Sequence, residues 1–415
     1  MLPKFFDGLL VVELADRRNQ YAGKLLADAG AQVIQIEPLD GSPGRHCGPF
    51  VHDQPDADAC LDYWYYNAGK RSVCLDITQP VGRGVVEQLA ARADIFLEST
   101  APGAFDETGL AYAALEKASG GKVIHASITD FGQNGPWRDY LANDTSHLAL
   151  GGQMASTGYS DPKVTPIGGQ GHQAWHVAGA LCVQAITVAL IERMASGRGQ
   201  YIDCAIHDCV AVCTEIAVPQ WVYTGKVLYR HTGQHAQPYR QAPMLMRAGD
   251  GRYVNIIFTD LSQHLWVALV QWMQEHNVQG KLDAPEYLDM AYRTERWRFG
   301  TEIHEALARV VAKMPADEAM RRGQAIQLPM SAIRAPEENY DEPQWQERDF
   351  FQPIAYPGLD KPVRYPGAPF KCDTSPTAPR SRAPMLGEHT DVVLRECLDL
   401  SAAEIATLRR DEVVR

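Results

Sequence analysis

A chain of 415 residues, 45% of them apolar, is long enough for two cores or for one large domain carrying a smaller one. Its net charge of -12, with no run of Lys or Arg, excludes a sequence-independent nucleic-acid surface, which needs a basic face to neutralise phosphates. No apolar run is expected to reach the length of a membrane span, and the start MLPKFFDG lacks the charged-then-apolar order of a secretion signal, so a cytoplasmic chain is expected.

Leu9 to Leu14 (LLVVEL) is an apolar run of strand length, 22–28 has helical spacing closed by Gly30, and Gln32 to Glu37 (QVIQIE) reads as a second strand. This βαβ unit invites a dinucleotide reading, with Glu37 where a ribose-binding acid would sit. The first turn, ELADRRNQYAG, holds no G-x-G-x-x-G, and the dinucleotide reading falls with it. After a glycine- and proline-bearing loop, NAGKRS leads into a strand at Val73 to Asp76. A helix over 81–92, a strand at Ile95 to Glu98, another helix and a strand at Val123 to Ile128 follow. Strands alternating with helices predict an α/β, Rossmann-like domain with a mostly parallel sheet covered on both faces. Ligands of such sheets gather at the carboxyl ends of the strands, here Glu37-Pro38, 99–103 and 129–135.

From Pro166 to Gln200 a glycine-rich loop joins a long apolar helix that ends at Ser196-Gly197-Arg198-Gly199, the junction at which a chemical residue ought to sit. Tyr201 to Ala205 reads as a further strand and His207 to Val222 as one helix. The character then changes to a basic, aromatic loop holding His231 and His235, a turn at Gly249-Asp250-Gly251, a strand at Tyr253 to Phe258 and amphipathic helices. A smaller α+β domain over 224–332 is therefore expected between the two parts of the large one, 1–223 and 333–415. The last part comprises a proline-rich linker and two helices, with Ser401 placed to cap the second ahead of Glu404. Nine cysteines, an odd number, show no C-x-x-C; Cys204, Cys209 and Cys213 are read as core thiols, and no metal is expected.

Several phrases, in order, resemble the class III CoA-transferases: LADAGAQVIQIEP, NAGKRSVCLDI, ASITDFGQNGPW, SGRGQYIDCAIHD, VRYPGAPFK and MLGEHTDVVL. The resemblance implies a large domain built from both ends of the chain, a smaller domain between, and two subunits threaded through each other as an interlocked dimer. In this family an Asp carboxylate attacks an acyl-CoA, passes through anhydride and thioester states, and hands CoA to a second acid. That Asp stands three residues before a small residue and Gly; here Trp175 holds the place ahead of Ala178-Gly179, and no Asp or Glu occurs from Lys163 to Ile191.

By the same resemblance Glu37, Pro38, Arg45, Asn67, Lys70, Arg71, Ser99 and Phe131 are the positions expected to face coenzyme A. The chain departs from the family where Ser99 replaces Asn and Ala101 replaces Arg, which leaves fewer cations for the phosphates. The racemase branch uses a His-Asp pair that maps onto Asn143-Asp144. Asn143 cannot be that base, and Asp144 reads rather as the cap of a helix over 145–150. His172 and His176 flank Trp175 as alternative general bases, each equally readable as a hydrogen-bonded core or interface residue; His231 and His235 are expected to meet a partner subunit or an acyl group.

The resemblance thus points to the non-nucleophilic subunit of a heteromeric transferase that moves CoA from an acyl-CoA such as succinyl-CoA to a carboxylic acid such as benzylsuccinate. A homologous subunit would bring the Asp. The alternatives are a self-sufficient acyl-CoA racemase, lyase or hydrolase working through His172, His176 or Asp144, and a non-catalytic binding protein.

Overall fold

The computed structural model describes residues 4–106, 108–214, 216–256, 262–373 and 381–415. The chain divides into two compact units, one formed by Met1–His147, Gly169–Val212 and Glu342–Arg415, the other by Leu148–Gly168 and Cys213–Asp341.

The first unit begins β1 (Leu10–Leu14), α1 (Gln20–Asp28), β2 (Gln32–Glu37), α2 (Leu61–Asn67), β3 (Arg71–Cys74), α3 (Pro80–Arg92), β4 (Ile95–Glu98), α4 (Tyr112–Ala118) and β5 (Ile124–Thr129). α5 (Asp144–Leu150) spans the boundary and α6 (Gln153–Ser156) belongs to the second unit; α7 (Gln173–Ser196), β6 (Tyr201–Ala205) and α8 (Ile206–Ala211) return to the first. All pairings in the main sheet are parallel and the strand order is β3-β2-β1-β4-β5-β6. The chain therefore reverses its winding between β1 and β4, the point at which open α/β sheets leave a crevice.

Alternation along the strands explains the two sides of this sheet. Val12, Ile34, Val73 and Phe96 point to one face, where they pack with Leu89 of α3 and with Val393 and Leu394 near the C-terminus. Glu13, Gln35, Glu37 and Ser72 point to the other, buried with Arg45, Tyr63 and Lys70. Such a polar layer is tolerated only when its members pair. The Arg45 guanidinium forks onto Glu37 at 2.7 and 2.9 Å, Ser72 Oγ donates to Glu37 at 2.6 Å, and Lys70 Nζ lies 2.8 Å from Glu13.

The strand expected at Val73 to Asp76 runs instead from Arg71 to Cys74, because the Asp76 carboxylate accepts from Thr78 and Gln79 and turns the chain into α3. Leu75 still makes one antiparallel bridge, to Val414.

At 24 residues and mean hydropathy 1.8, α7 is long and apolar enough by length and composition to cross a membrane, which corrects the expectation that no run reaches that length. One side of it is buried against α1, α8 and the β5–β6 edge through Trp175, Ala178, Gly179, Cys182 and Ile186. The helix ends at Gly197, whose φ of 74° lets its N–H return to Arg193 O. Two residues on, Gly199 passes so close to β5 that a Cβ there would lie 1.9 Å from Val123 O. Gly199→Ala is expected to destabilise the chain by at least about 1–3 kcal/mol, read as a lower urea midpoint.

The single helix expected from His207 to Val222 is broken. α8 stops at Ala211, a 3-10 turn spans Val212–Thr214, and α9 (Ala217–Thr224) starts afresh with Pro219 in its first turn, the one part of a helix where a missing N–H costs nothing. The second unit continues with a hairpin, β7 (Tyr229–His231) and β8 (Gln234–Gln237), then β9 (Leu245–Arg247) and β10 (Tyr253–Ile256). Residues 257 and 258 of the strand expected there lie outside the described residues. Helices α10 (Gln263–Glu275), α11 (Met290–Phe299), α12 (Glu302–Val311) and α13 (Ala316–Ala325) and strand β11 (Met330–Ala332) complete it, the last pairing antiparallel with β10. Their core gathers Trp266, Trp272, Trp297, Leu307 and Met330.

Back in the first unit, α14 (Pro343–Glu347) and the antiparallel pair β12 (Phe351–Ile354) and β13 (Val363–Pro366) bring Tyr356 and Tyr365 onto Tyr63 and Trp64. α15 (Thr390–Leu398) and α16 (Ala402–Arg410) close the chain, and Ser401 caps α16 with Glu404 returning to its backbone, as expected.

Candidate active site

The loop leaving β1, Ala15 to Asn19, is held from beneath by Asn19, whose amide donates to Leu14 O and accepts from Asp16 N. That anchoring projects two adjacent arginines in different directions. Arg18 binds Asp16 at 2.8 Å, donates to Ser99 O at 2.6 Å and reaches Asp130 at 3.4 Å. Burial opposes its charge, but the hydrogen bond and charge of Asp16 keep it even more firmly protonated than usual. Asp130 also takes His147 Nε2 at 3.0 Å, so the carboxyl ends of β1, β4 and β5 are tied by one charged chain.

A cleft of about 460 Å³ opens beside this chain at the switch between β1 and β4, lined by Asp16, Arg18, Glu37, Pro38, Ser99 and neighbours. Ser99 Oγ is buried there without a hydrogen-bond partner. Asp16, Glu37, Asp40 and Asp76 face the single arginine, so the cleft offers an anion little net attraction.

Of the positions expected at coenzyme A, the structure brings Glu37, Pro38 and Ser99 together in this cleft. Arg45 lies behind Glu37, wholly buried and committed to it, to Tyr63 and to Pro384 O. Lys70 is buried against Glu13 and Gln20 O, and Asn67 is buried under α2 with its amide on Tyr63 O. Arg71 pairs with Glu396 at the surface. Phe131 joins an aromatic group with Trp137, Tyr140, His147 and His207. The basic groups chosen for phosphate binding are thus either spent on buried carboxylates or set apart from the cleft.

Arg17 turns the other way, toward the start of α7. Its guanidinium lies 5.1 Å from the centroid of Trp175, and His172 stacks on the same indole at 4.8 Å. Trp175 is 9% exposed and its Nε1 has no partner. His172 Nε2 lies 3.1 Å from Arg17 Nη2 and 3.4 Å from Asp62 Oδ1. His176 Nε2 meets Tyr66 OH at 2.6 Å while its ring packs on Tyr21 at 4.4 Å; burial, then the neighbouring His172, lowers its basicity.

The Asp144 carboxylate, unlike that of Asp62, is turned to the backbone. Its Oδ1 accepts from Ala174 N at 2.8 Å and Trp175 N at 3.3 Å, satisfying two of the free N–H groups that begin α7. The expectation that Asp144 caps its own helix is therefore corrected: Asn143 does so, its Oδ1 accepting from Ser146 N at 2.9 Å. His231 and His235 belong to the hairpin of the second unit. Cys204 and Cys209 are buried thiols 3.7 Å apart, and among the described residues no cluster of His, Cys, Asp or Glu could hold a metal.

Sequence reading missed Arg17, Arg18 and Asp130. The available signal was the pair of arginines in the turn after β1, a place where an α/β sheet exposes its ligand groups.

The start of α7 thus presents the Trp175 indole and two histidines, and the Asp144 carboxylate beside them is consumed by helix N–H groups. Residues 6–390 match the family described as CoA-transferase family III. The chain is 30% identical to the succinyl-CoA:(R)-benzylsuccinate CoA-transferase subunit BbsE of Thauera aromatica, over 98% of this chain and 97% of that protein. It is 29% identical to the acetyl-CoA:oxalate CoA-transferase of Acetobacter aceti, over 88% and 92%. Among solved structures, a CAIB/BAIF family protein from Brucella suis superposes with a TM-score of 0.77 at 26% identity, covering 95% of this chain and all of that one.

Proposed function

The chain belongs to CoA-transferase family III, and from that membership we propose that it is the non-nucleophilic subunit of a heteromeric CoA-transferase. The family moves CoA between an acyl-CoA and a carboxylic acid; in this reading the attacking carboxylate comes from a homologous partner chain. The single observation that carries it is Trp175, buried against Arg17 and His172 where an Asp is needed, with no Asp or Glu from Lys163 to Ile191. Indole offers neither a nucleophilic lone pair nor a leaving group for acyl transfer.

Relatives support a divided enzyme. BbsE is named as a subunit, and the succinyl-CoA–L-malate CoA-transferase of Chloroflexus aurantiacus has alpha and beta subunits, each 27% identical to this chain. Succinyl-CoA as donor and benzylsuccinate as acceptor are the substrate pair we assign to the complex. Val188, Ile191 and Met194 of α7 are exposed apolar side chains that a threaded partner would cover, in keeping with an interlocked dimer. Such a subunit is kept because its partner cannot complete the assembly alone. Glu37, Pro38 and Ser99 are the contacts to CoA available from this chain; with four carboxylates to one arginine around them, the phosphates are better held on the partner's side. The complex is placed in the cytoplasm.

His172 beside Asp62 is the pair that a self-sufficient enzyme of this fold would use as base and orienter, although Arg17 faces the same nitrogen. One experiment separates the two readings. The chain purified alone is expected to give no CoA transfer from succinyl-CoA to benzylsuccinate, and co-expression with a homologous Asp-bearing chain is expected to give turnover. Replacing that partner Asp should lower the rate by more than about 10³-fold. Transfer by the single chain would overturn the proposal.

A further inference from the structure

The proposed function makes no use of the segment between the 3-10 turn Pro43–His46 and helix α2, where two thiols meet. Cys47 is exposed and Cys60 is wholly buried. Both donate to one carbonyl, Gly44 O, at 3.2 and 3.3 Å, so their sulfurs lie no farther apart than those two distances together. The segment just after Cys47 is pinned to the one that carries Cys60: Phe50 bridges Cys60 in antiparallel sense, Leu61 N donates to Pro49 O at 2.8 Å, and Val51 N donates to Ala59 O at 3.0 Å. We propose that Cys47 and Cys60 are a redox-active dithiol that closes to an intramolecular disulfide when the chain meets a hydroperoxide.

The pair is prepared for this chemistry. A hydrogen bond from Cys47 holds the Cys60 thiol down at about 6 against the effect of burial, with the N–H groups of Tyr63 and Gly48 adding to it. The same bond, then burial and the nearby Asp62 carboxylate, raises Cys47. The contact between the two sulfurs thus favours ionisation of one member of the pair over the other, and a thiolate is the form that attacks. Cys204 and Cys209 lack the second requirement, since both are buried.

The steps balance. The Cys47 sulfur attacks one oxygen of the hydroperoxide as its proton passes to Cys60; an S–O bond forms, the O–O bond breaks, and the departing oxyanion takes a proton from solvent as alcohol or water. Cys60 then attacks the sulfenic sulfur of Cys47; the S–S bond forms, the S–O bond breaks, and hydroxide leaves with the Cys60 proton as water. Two thiols lose two electrons and the hydroperoxide gains them.

Closure also acts on the start of α7. The Cys47 thiol donates to Asp62 Oδ2 at 3.5 Å, and Asp62 Oδ1 faces His172 Nε2. Oxidation removes that donor and leaves Asp62 to His172 alone.

The full chain, with any subunit that co-purifies, is treated with hydrogen peroxide, quenched and mapped by intact mass and by non-reducing peptide analysis. The expected result is loss of two hydrogens and of two titratable thiols, a Cys47–Cys60 linked peptide, and full reversal by a dithiol reductant. Cys47→Ser, at an exposed position that keeps the fold, abolishes the link, and Cys60→Ser does the same. Oxygen added to Cys47 without a link, a link mapping to Cys204–Cys209, or a link between two chains would each overturn the proposal. None of these outcomes depends on which subunit supplies the transferase carboxylate.

Discussion

Arg45→Met is expected to lower the stability of the chain by about 3–5 kcal/mol, a large share of the about 5–15 kcal/mol that holds a native protein folded. Arg45 and Glu37 are both wholly buried, and the guanidinium also serves Tyr63 OH, Ala57 O and Pro384 O. Removing the cation leaves a carboxylate in the sheet's interior with Ser72 and Tyr63 as its remaining side-chain partners. Burial alone would raise the Glu37 carboxyl; the Arg45 hydrogen bonds and charge outweigh it, with Ser72 and Ser42 adding, and hold it below its ordinary 4.5. A carboxylate lowered in the folded state stabilises fully above its unfolded value and stops doing so as pH falls through the folded one. The wild-type chain should therefore lose stability below about pH 4 along this limb, and Arg45→Met should flatten it. Urea midpoints across pH 3 to 7, at about unit intervals, check both statements. A variant within about 0.5 kcal/mol of wild type would show that the pair is not what holds β2 and β3 to the loop between them.

Trp175→Ala tests the other large effect, and its two readouts should part company. The side chain is buried and packed against Arg17 and His172, so truncation is expected to cost about 3–5 kcal/mol in folding. Transfer by the assembled complex, measured below its melting temperature, should stay within about threefold, because only an interaction made in the transition state alters the rate of the chemical step. A rate collapse as deep as that from removing the partner's Asp would give Trp175 a part in the reaction and end its reading as a filler of the site.

Much of the fold was readable because it rests on local apolar pattern. LLVVEL, QVIQIE and IFLE are strands within a residue or so of where their runs begin and end, and SGRG ended α7 for the reason Gly197 shows. The errors have physical causes of equal clarity. Pro219 divides one amphipathic stretch into two helices, and side-chain turns at Asp76 shorten β3 from its C-terminal end.

The site was half legible. The absence of Asp and Glu from Lys163 to Ile191 is plain in the sequence, and Trp175 lies in the first turn of α7. The use of Asp144 by α7 and the approach of Arg17 to His172 join residues 30 and 155 apart in the chain, which no local pattern can announce. The same holds for Lys70 and Arg45. Their charge and their position near strand ends were right for phosphate, but their partners, Glu13 and Glu37, are reached only once strands pair.

The bridge from Leu75 to Val414 and the seat of α15 against β3 have a consequence for how the molecule is made. On the ribosome the first five strands emerge long before Val393, Leu394 and Val413, which complete the apolar face those strands present. Translation must deliver the whole second unit in the interval. The nascent sheet therefore waits, half covered, until α15, α16 and the segment after them have been made.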